Sequence, residues 1–257
     1  MPFTSSIPEI FEFARKNPEK SKAMREHYES LWHGLGNSIR VRVRFFDDFV
    51  KNAINEGIEQ LIILGAGYDT RGYRIEGLKG NVKVFEVDRP DTQEVKKEKI
   101  KEIFGTLPDY VVYVPVDFGV EELGQKLTES GYDRSLKTLF LMEGLVMYLP
   151  PKAVDEMLAF VVENSGKGIL VLFDYFPDSV IDGTCEVGRN MKAFAEDKGE
   201  PFQFGIKKGT IEAFLAQRGF SQIQDVTSED YKKAYFHGVN KDRLVSDLMS
   251  FVHATVE

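Results

Sequence analysis

Apolar residues recur along this chain with two different periods, and the change of period divides it. Up to about residue 57 the spacing is helical. Ser6 and Glu9 have the spacing of a capping box with Pro8 in the first turn, and Asn17-Pro18-Glu19 restarts a helix by the same chemistry. Gly34-Leu35-Gly36-Asn37-Ser38 interrupts, and Ile39, Val43, Phe46, Val50 and Ala53 then follow at steps of four and three. That stripe predicts a third, amphipathic helix ending near Gly57. From Ile58 to Tyr175 short apolar runs at 59–64, 82–87, 110–115, 138–142 and 168–175 alternate with helical segments at roughly 90–104, 119–130 and 151–163. The last of these places Val154, Met157, Leu158, Val161 and Val162 on one face. Strands alternating with helices predict a mostly parallel sheet.

After Tyr175 the rhythm stops. Residues 176–208 mix Pro177, Gly183, Gly188, Gly199 and Pro201 with one helix around 186–197, an insertion placed to form a lid over a site at a strand's carboxyl end. Thr210 caps a short helix through Gln217, with Gly219 as its stop signal. Runs 221–227 and 234–239, joined by the polar loop 228–233, predict an antiparallel hairpin at the sheet's edge. A last helix from Lys241 to about Ala254 is expected to turn Leu244, Leu248 and Phe251 inward. The pattern describes one α/β domain: a helical extension over 1–57, a Rossmann-like core over 58–175, the insertion over 176–208, and a closing segment over 209–257. Five parallel strands and the terminal hairpin make a seven-stranded sheet.

Composition narrows what such a domain does. The chain has 257 residues, 42% hydrophobic and 29% charged, the balance of a soluble globular protein. It has no run of about 18 apolar residues, so no helix is expected to span a membrane. The first residues, MPFTSSIPEIFEF, carry no basic group ahead of an apolar segment and do not read as a signal peptide. Cys185 is the single cysteine, so no internal disulfide forms, which suits a reducing cytoplasm. A net charge of −8 argues against binding nucleic acid or anionic membranes through phosphates, and leaves small molecules or proteins as the expected partners. His27, His33, His237 and His253 are scattered without metal-ligand spacing, so no metal is expected.

The candidate chemistry lies at the strand ends. The stretch LIILGAGYDTRGYR over 61–74 runs a buried strand into Gly65-Ala66-Gly67, the turn by which open α/β sheets bring backbone close to a nucleotide-like ligand. The later strands end in acids: Asp88, then Asp117 with Phe118, then Glu143, then Asp174. Ionised carboxylates only accept hydrogen bonds, so an acidic rim is a poor phosphate cradle and suits a ligand rich in hydroxyl and amine donors or bearing positive charge. A dinucleotide fingerprint also wants a third glycine, where this chain has Thr70, and there is no Gly-Lys-Ser/Thr loop. S-adenosylmethionine, which has ribose hydroxyls, an adenine edge, a sulfonium and an amino-acid tail but no phosphate, fits better. Asp69, Thr70 and Arg71 are read as fixing the turn, with Arg71 placed to pair with a strand-end acid.

LGAGYDTRGYR, FEVDRP and TLFLMEGLVMYLP, in that order, resemble the leucine carboxyl methyltransferase family and its microbial relatives, class I enzymes that use S-adenosylmethionine. The match runs from about Arg40 to Tyr148, with a weaker echo in GEPFQFGI and EAFLAQRGF. The resemblance implies that Gly65 and Gly67 admit the methionine portion, Asp88 holds the ribose, and Asp117 and Phe118 flank the adenine. It places Glu143 near the methionine tail and sulfonium. An arginine ahead of the first strand binds the tail's carboxylate in the family; Arg42 is chosen, with Arg40 and Arg44 competing. Tyr148 lines the acceptor side or simply packs, and His237, read as lying on a late strand, is the one histidine placed to act as a base. Methyl transfer is a displacement in which the protein aligns the reactants and excludes water. The lack of a convincing base favours an acceptor that is already ionised, a carboxylate or acidic hydroxyl of a small molecule. A protein C-terminal carboxylate, an NAD(P)-dependent oxidoreductase and a non-catalytic binding protein on the same fold are the alternatives.

Overall fold

The computed structural model describes Phe13 and residues 15–118, 121–164 and 168–256. The capping box expected at Ser6, Pro8 and Glu9 lies outside the described residues. Two helices precede the sheet, α1 (Pro18–Trp32) and α2 (Leu35–Asn55). The alternating core follows as β1 (Gln60–Leu64), α3 (Arg71–Arg74), β2 (Lys83–Asp88), α4 (Pro90–Phe104), β3 (Val111–Pro115), α5 (Leu123–Glu129), β4 (Thr138–Met142), α6 (Pro151–Glu163) and β5 (Ile169–Tyr175). The remainder is α7 (Asp178–Ile181), α8 (Glu186–Asp197), α9 (Ile211–Ala216), β6 (Phe220–Val226), α10 (Ser228–Tyr235) and β7 (Ser250–Val256).

The seven strands run in the order β3-β2-β1-β4-β5-β7-β6, parallel except for β7, which pairs antiparallel with both β5 and β6. Every residue of β1 and β4 is buried, and after the first residue of each, Gln60 and Thr138, both strands are wholly apolar: in a parallel sheet covered on both faces neither side needs polar residues. Ile62 and Leu64 pack with Phe85, Phe140, Met157 and Leu158 on one face, while Leu61 and Ile63 pack with Phe46, Val50, Leu139 and Leu141 on the other. From β1 the chain moves outward to β2 and β3, then crosses to β4 on β1's other side. The crevice between β1 and β4 is the topological switch point, where open α/β sheets hold ligands.

Parallel register fixes what faces that crevice. Leu64 pairs with Val87 on one side and Met142 on the other, Met142 pairs with Phe173, and Asp88 pairs with Pro115. Continued by one residue, the ladder sets Asp88, Gly65, Glu143 and Asp174 in a row across the carboxyl edge of four strands.

Three expectations are corrected. The predicted closing helix over 241–254 is a strand over its last part: Val252, Ala254 and Val256 alternate onto one face of the sheet, and Leu244, expected inside, is 61% exposed. The predicted strand at 234–239 is not one. Thr227 and Asp230 form a reciprocal capping box that starts α10, and the hairpin partner of β6 is β7. In α2 the helix starts directly after Gly34, whose φ of 85° needs glycine, and its buried face carries Leu35, Ser38 and Val41, while Ile39 and Val43 are exposed. Ser38 is drawn inward by a polar network: its hydroxyl meets the Tyr231 hydroxyl at 2.9 Å and accepts from the Ser246 amide at 2.9 Å.

Candidate functional site

The turn after β1 is shaped by backbone that only glycine adopts without strain. Gly65 has φ +65° and Gly67 φ +39°, and a Cβ on Gly65 would lie 2.7 Å from a methyl of Leu145. A Cβ on Gly67 would meet no protein atom nearer than the Gly65 carbonyl at 3.9 Å. It would instead enter a cleft of about 340 Å³ lined by Arg42, Val43, the turn itself, Asp69, Arg71, Arg74 and Glu143. Asp88 sits beside the turn and holds it: one carboxylate oxygen accepts from the Gly67 amide at 2.5 Å and the other from the Arg89 amide at 2.7 Å. Burial raises the Asp88 carboxyl above the ordinary range, against the lowering pull of those two amides.

Three guanidiniums and four carboxylates face one another on the β4 side. Arg42 Nε donates to Glu143 Oε1 at 3.0 Å and Nη1 donates to Asp174 Oδ2 at 2.7 Å. Asp174, fully buried, accepts from the Gly144 amide at 2.6 Å through its other oxygen, so it ties Arg42 to the end of β4. Arg71 binds Asp47 at 2.8 Å, Asp69 at 2.6 Å and Glu143 Oε2 at 2.5 Å. Arg74 forks onto both oxygens of Asp47, at 2.6 and 2.7 Å. Burial disfavours the charged Arg42 and Arg71, but the facing carboxylates outweigh it and raise both above the ordinary arginine value. Glu143 is thus held by two arginines and presents its carboxylate at the crevice in a fixed orientation.

Of the three competing arginines the structure brings only Arg42 to the cleft. Arg40 is exposed and donates to Asn37 at 3.0 Å, and Arg44, also exposed, pairs with Asp48 at 2.9 Å. Gly65, Gly67, Arg42 and Glu143 line the cleft, with Asp88 bonded to its floor. Asp117 and Phe118 lie past β3 and do not line it. Asp117 is exposed with its amide donating to Glu121 at 3.1 Å, and Phe118 packs toward α5 and α6 at the head of a separate groove. Tyr148 packs its ring on Phe202, with centroids 5.3 Å apart, and burial pushes its hydroxyl up to about 12. His237 is exposed at the end of α10, its Nε2 2.9 Å from the Ala234 carbonyl, and does not line the cleft. The strand it was read onto does not exist.

Sequence reasoning passed over Asp47 and gave Asp174 no role. A buried acid inside the apolar run ILVLFDY demands a cationic partner, which was the available signal for Asp174. Asp47 carried none, because it becomes a ligand of Arg71 and Arg74 only through tertiary packing. Among the described residues no cluster of histidine, cysteine and acids could hold a metal ion, and no helix is long and apolar enough to cross a membrane.

Comparison with known proteins bears on the family and the fold. The family model for leucine carboxyl methyltransferase matches residues 5–162. Two curated relatives bear the name "Putative S-adenosyl-L-methionine-dependent methyltransferase". The one from Mycolicibacterium smegmatis is 32% identical over 197 residues, covering 76% of this chain and 60% of that protein. The one from Bacillus subtilis is 26% identical over 215 residues, covering 83% and 70%. The chain therefore spans about three-fifths of the first relative's length. Among solved structures, a protein from Streptomyces avermitilis superposes with a TM-score of 0.67 at 15% identity, covering 92% of this chain and 90% of that one. One from Thermobifida fusca superposes at 0.66 and 15%, covering 93% and 89%.

Proposed function

Because the chain belongs to the leucine carboxyl methyltransferase family, we propose that it is an S-adenosylmethionine-dependent O-methyltransferase whose acceptor is a carboxylate or acidic hydroxyl of a small molecule. The sheet order supports the class I methyltransferase core. The observation that carries the reading is the row Asp88–Gly65–Glu143–Asp174 with Arg42 bound to its last two members.

The residues present fit the cofactor. Gly67 leaves open the space that a Cβ would fill. Asp88, beside the turn, is an acceptor for ribose hydroxyls. Four carboxylates against three guanidiniums leave the β4 side with a surplus negative charge, which favours a tail and sulfonium that together carry a surplus positive one. Arg42 is the fork for the tail's carboxylate. Asp117 and Phe118 are assigned to the adenine end. S-adenosylmethionine supplies a methyl group on a sulfonium; everything else falls to the chain's own residues.

Those residues position rather than exchange protons. Tyr148, with its hydroxyl held protonated, can donate a hydrogen bond but cannot serve as a base near neutral pH. Glu143 is tied to Arg42 and Arg71. A cleft without a free base suits an acceptor oxygen that is already ionised. The acceptor side is assigned to the segment 176–208. Its return limb docks beside the site, with the Gln203 amide donating to the Met147 carbonyl at 2.8 Å and the Gln203 side chain to the Tyr148 carbonyl at 2.7 Å.

Calorimetry tests the cofactor. Wild type should bind S-adenosylmethionine and S-adenosylhomocysteine but not NADH, and Asp88→Ala and Gly67→Val should each weaken binding at least about tenfold. Unchanged affinity in both variants would remove the site assignment. Transfer of labelled methyl to a panel of small carboxylic acids, phenols, simple alcohols and a leucine-terminated peptide tests the acceptor. Product with simple alcohols alone, or with the peptide alone, would overturn the carboxylate or acidic-hydroxyl reading.

A further inference from the structure

Behind the Gly65-Ala66-Gly67 turn lies a charged pair that plays no part in holding the cofactor as described above. Lys96 projects from α4 with only 4% of its side chain exposed, and its Nζ lies 2.8 Å from Glu86 Oε2 on β2. The same ammonium donates to the Ala66 carbonyl at 3.4 Å and sits 5.7 Å from the centre of the Tyr73 ring. Glu86 Oε2 also accepts from the Tyr73 hydroxyl at 3.0 Å, and that hydroxyl meets the Tyr113 hydroxyl at 2.8 Å. Glu86 Oε1 is buried with no partner.

A buried ion pair adds little net stability over an apolar pair of the same volume, because removing both charges from water costs about as much as their attraction returns. An unpaired carboxylate oxygen makes this pair poorer still. Stability alone does not account for it. What the pair does is deliver a cation to the back of the turn. Lys96 touches the middle residue of Gly65-Ala66-Gly67, and its counter-ion stands two residues before Asp88 on the same strand.

We propose that Lys96 is a positioning residue of the cofactor site, holding the Ala66 carbonyl and with it the Gly65-Ala66-Gly67 turn in the conformation that admits the cofactor, with Glu86 as its partner. The proposal rests on the reading that the cleft binds S-adenosylmethionine. Around Lys96 stand Glu86 on β2, Tyr73 on α3 and the Ala66 carbonyl, with Tyr113 on β3 one hydrogen bond further out. Burial raises the Glu86 carboxyl to about 7 against the lowering pull of Lys96 and the Tyr73 hydroxyl, so it exchanges its proton near neutral pH and the fixed feature is the Lys96 contact with the Ala66 carbonyl. Losing that contact frees the turn and weakens the grip of its backbone on the cofactor.

The test measures S-adenosylhomocysteine affinity by calorimetry at pH 7 on wild type, Lys96→Met, Lys96→Arg and the double variant Lys96→Met with Glu86→Gln. The double variant removes both charges together while nearly keeping volume, so it supplies the measurement where Lys96→Met alone does not fold. A cooperatively melting variant without the ammonium is expected to bind at least about tenfold more weakly. Lys96→Arg, which keeps a donor for the Ala66 carbonyl, should recover most of the affinity. A folded double variant with wild-type affinity, or a folded Lys96→Arg as weak as Lys96→Met, overturns the proposal. Wild type that binds neither S-adenosylmethionine nor S-adenosylhomocysteine refutes instead the cofactor reading on which it stands.

Discussion

Arg42 bonds two carboxylates through two of its nitrogens, while its neighbours Arg40 and Arg44, two residues to either side, face solvent. Helical geometry separates them: residues two apart point to nearly opposite faces. Removing the Arg42 fork leaves Glu143 with Arg71 alone and Asp174 with only an amide. Arg42→Met is therefore expected to cost about 3 kcal/mol in chemical denaturation, the usual penalty for leaving a buried charge without its partner, and at least about tenfold in cofactor affinity. Arg40→Ala and Arg44→Ala should each stay within about 0.5 kcal/mol of wild type and leave cofactor affinity alone. An affinity loss confined to Arg40→Ala or Arg44→Ala would move the carboxylate fork to that position. At this scale the acids after the strands and the two glycines could be read from the chain. The pairing of Arg71 with a strand-end acid is met by Glu143, but the partners of Arg42 and Arg74 could not be read, because Asp47 on α2, Glu143 after β4 and Asp174 on β5 meet only in the fold.

Where burial is two-sided or a helix has clear end signals, the elements were legible. The first five strands agree with expectation to within a residue at each end, and helices 90–104, 151–163 and 186–197 match in full. The C-terminal stretch was not, and its competing patterns show why. Leu244, Leu248 and Phe251 have helical spacing, but Val252, Ala254 and Val256 alternate as a strand, and pairing with both β5 and β6 favours the strand. Phe251 is fully buried against Phe46 and Tyr231. Phe251→Ala should cost about 3–5 kcal/mol, whereas Ile39→Ser, on the exposed face of α2, should change stability by less than about 1 kcal/mol. The reverse ranking in a urea titration would restore the buried α2 stripe through Ile39 expected from sequence. Thr227→Ala removes one arm of the α10 capping box and should cost about 1 kcal/mol.

The whole molecule divides by function across the sheet. The cleft, the charged cluster and the docked limb at 203–206 all gather at the carboxyl ends of the strands, while among the described residues the opposite ends of the strands do not line that cleft. Cofactor binding should therefore protect amides selectively. In hydrogen exchange, segments 65–74, 88–92 and 143–149 are expected to slow on adding S-adenosylmethionine, with 57–59 and 135–137 unchanged, and saturation at about 100 times Kd should add about 2.7 kcal/mol to stability. Uniform protection over both ends would signal global tightening rather than occupancy of the crevice.

The row Asp88–Gly65–Glu143–Asp174 also bears on how such a protein can change over time. Each member is held level with the next by strand pairing, so inserting or deleting one residue anywhere within β1, β2, β4 or β5 would displace its member by about 3.3 Å and turn it to the other face. The half of the site proposed for the cofactor is in this sense written in a frame, as codons are. The limb after β5 lies outside that frame, and lengthening it or replacing it leaves the reading of the four strands intact. Under the proposed function, new acceptors would be sampled there by insertion and recombination, at positions where the sheet keeps no count.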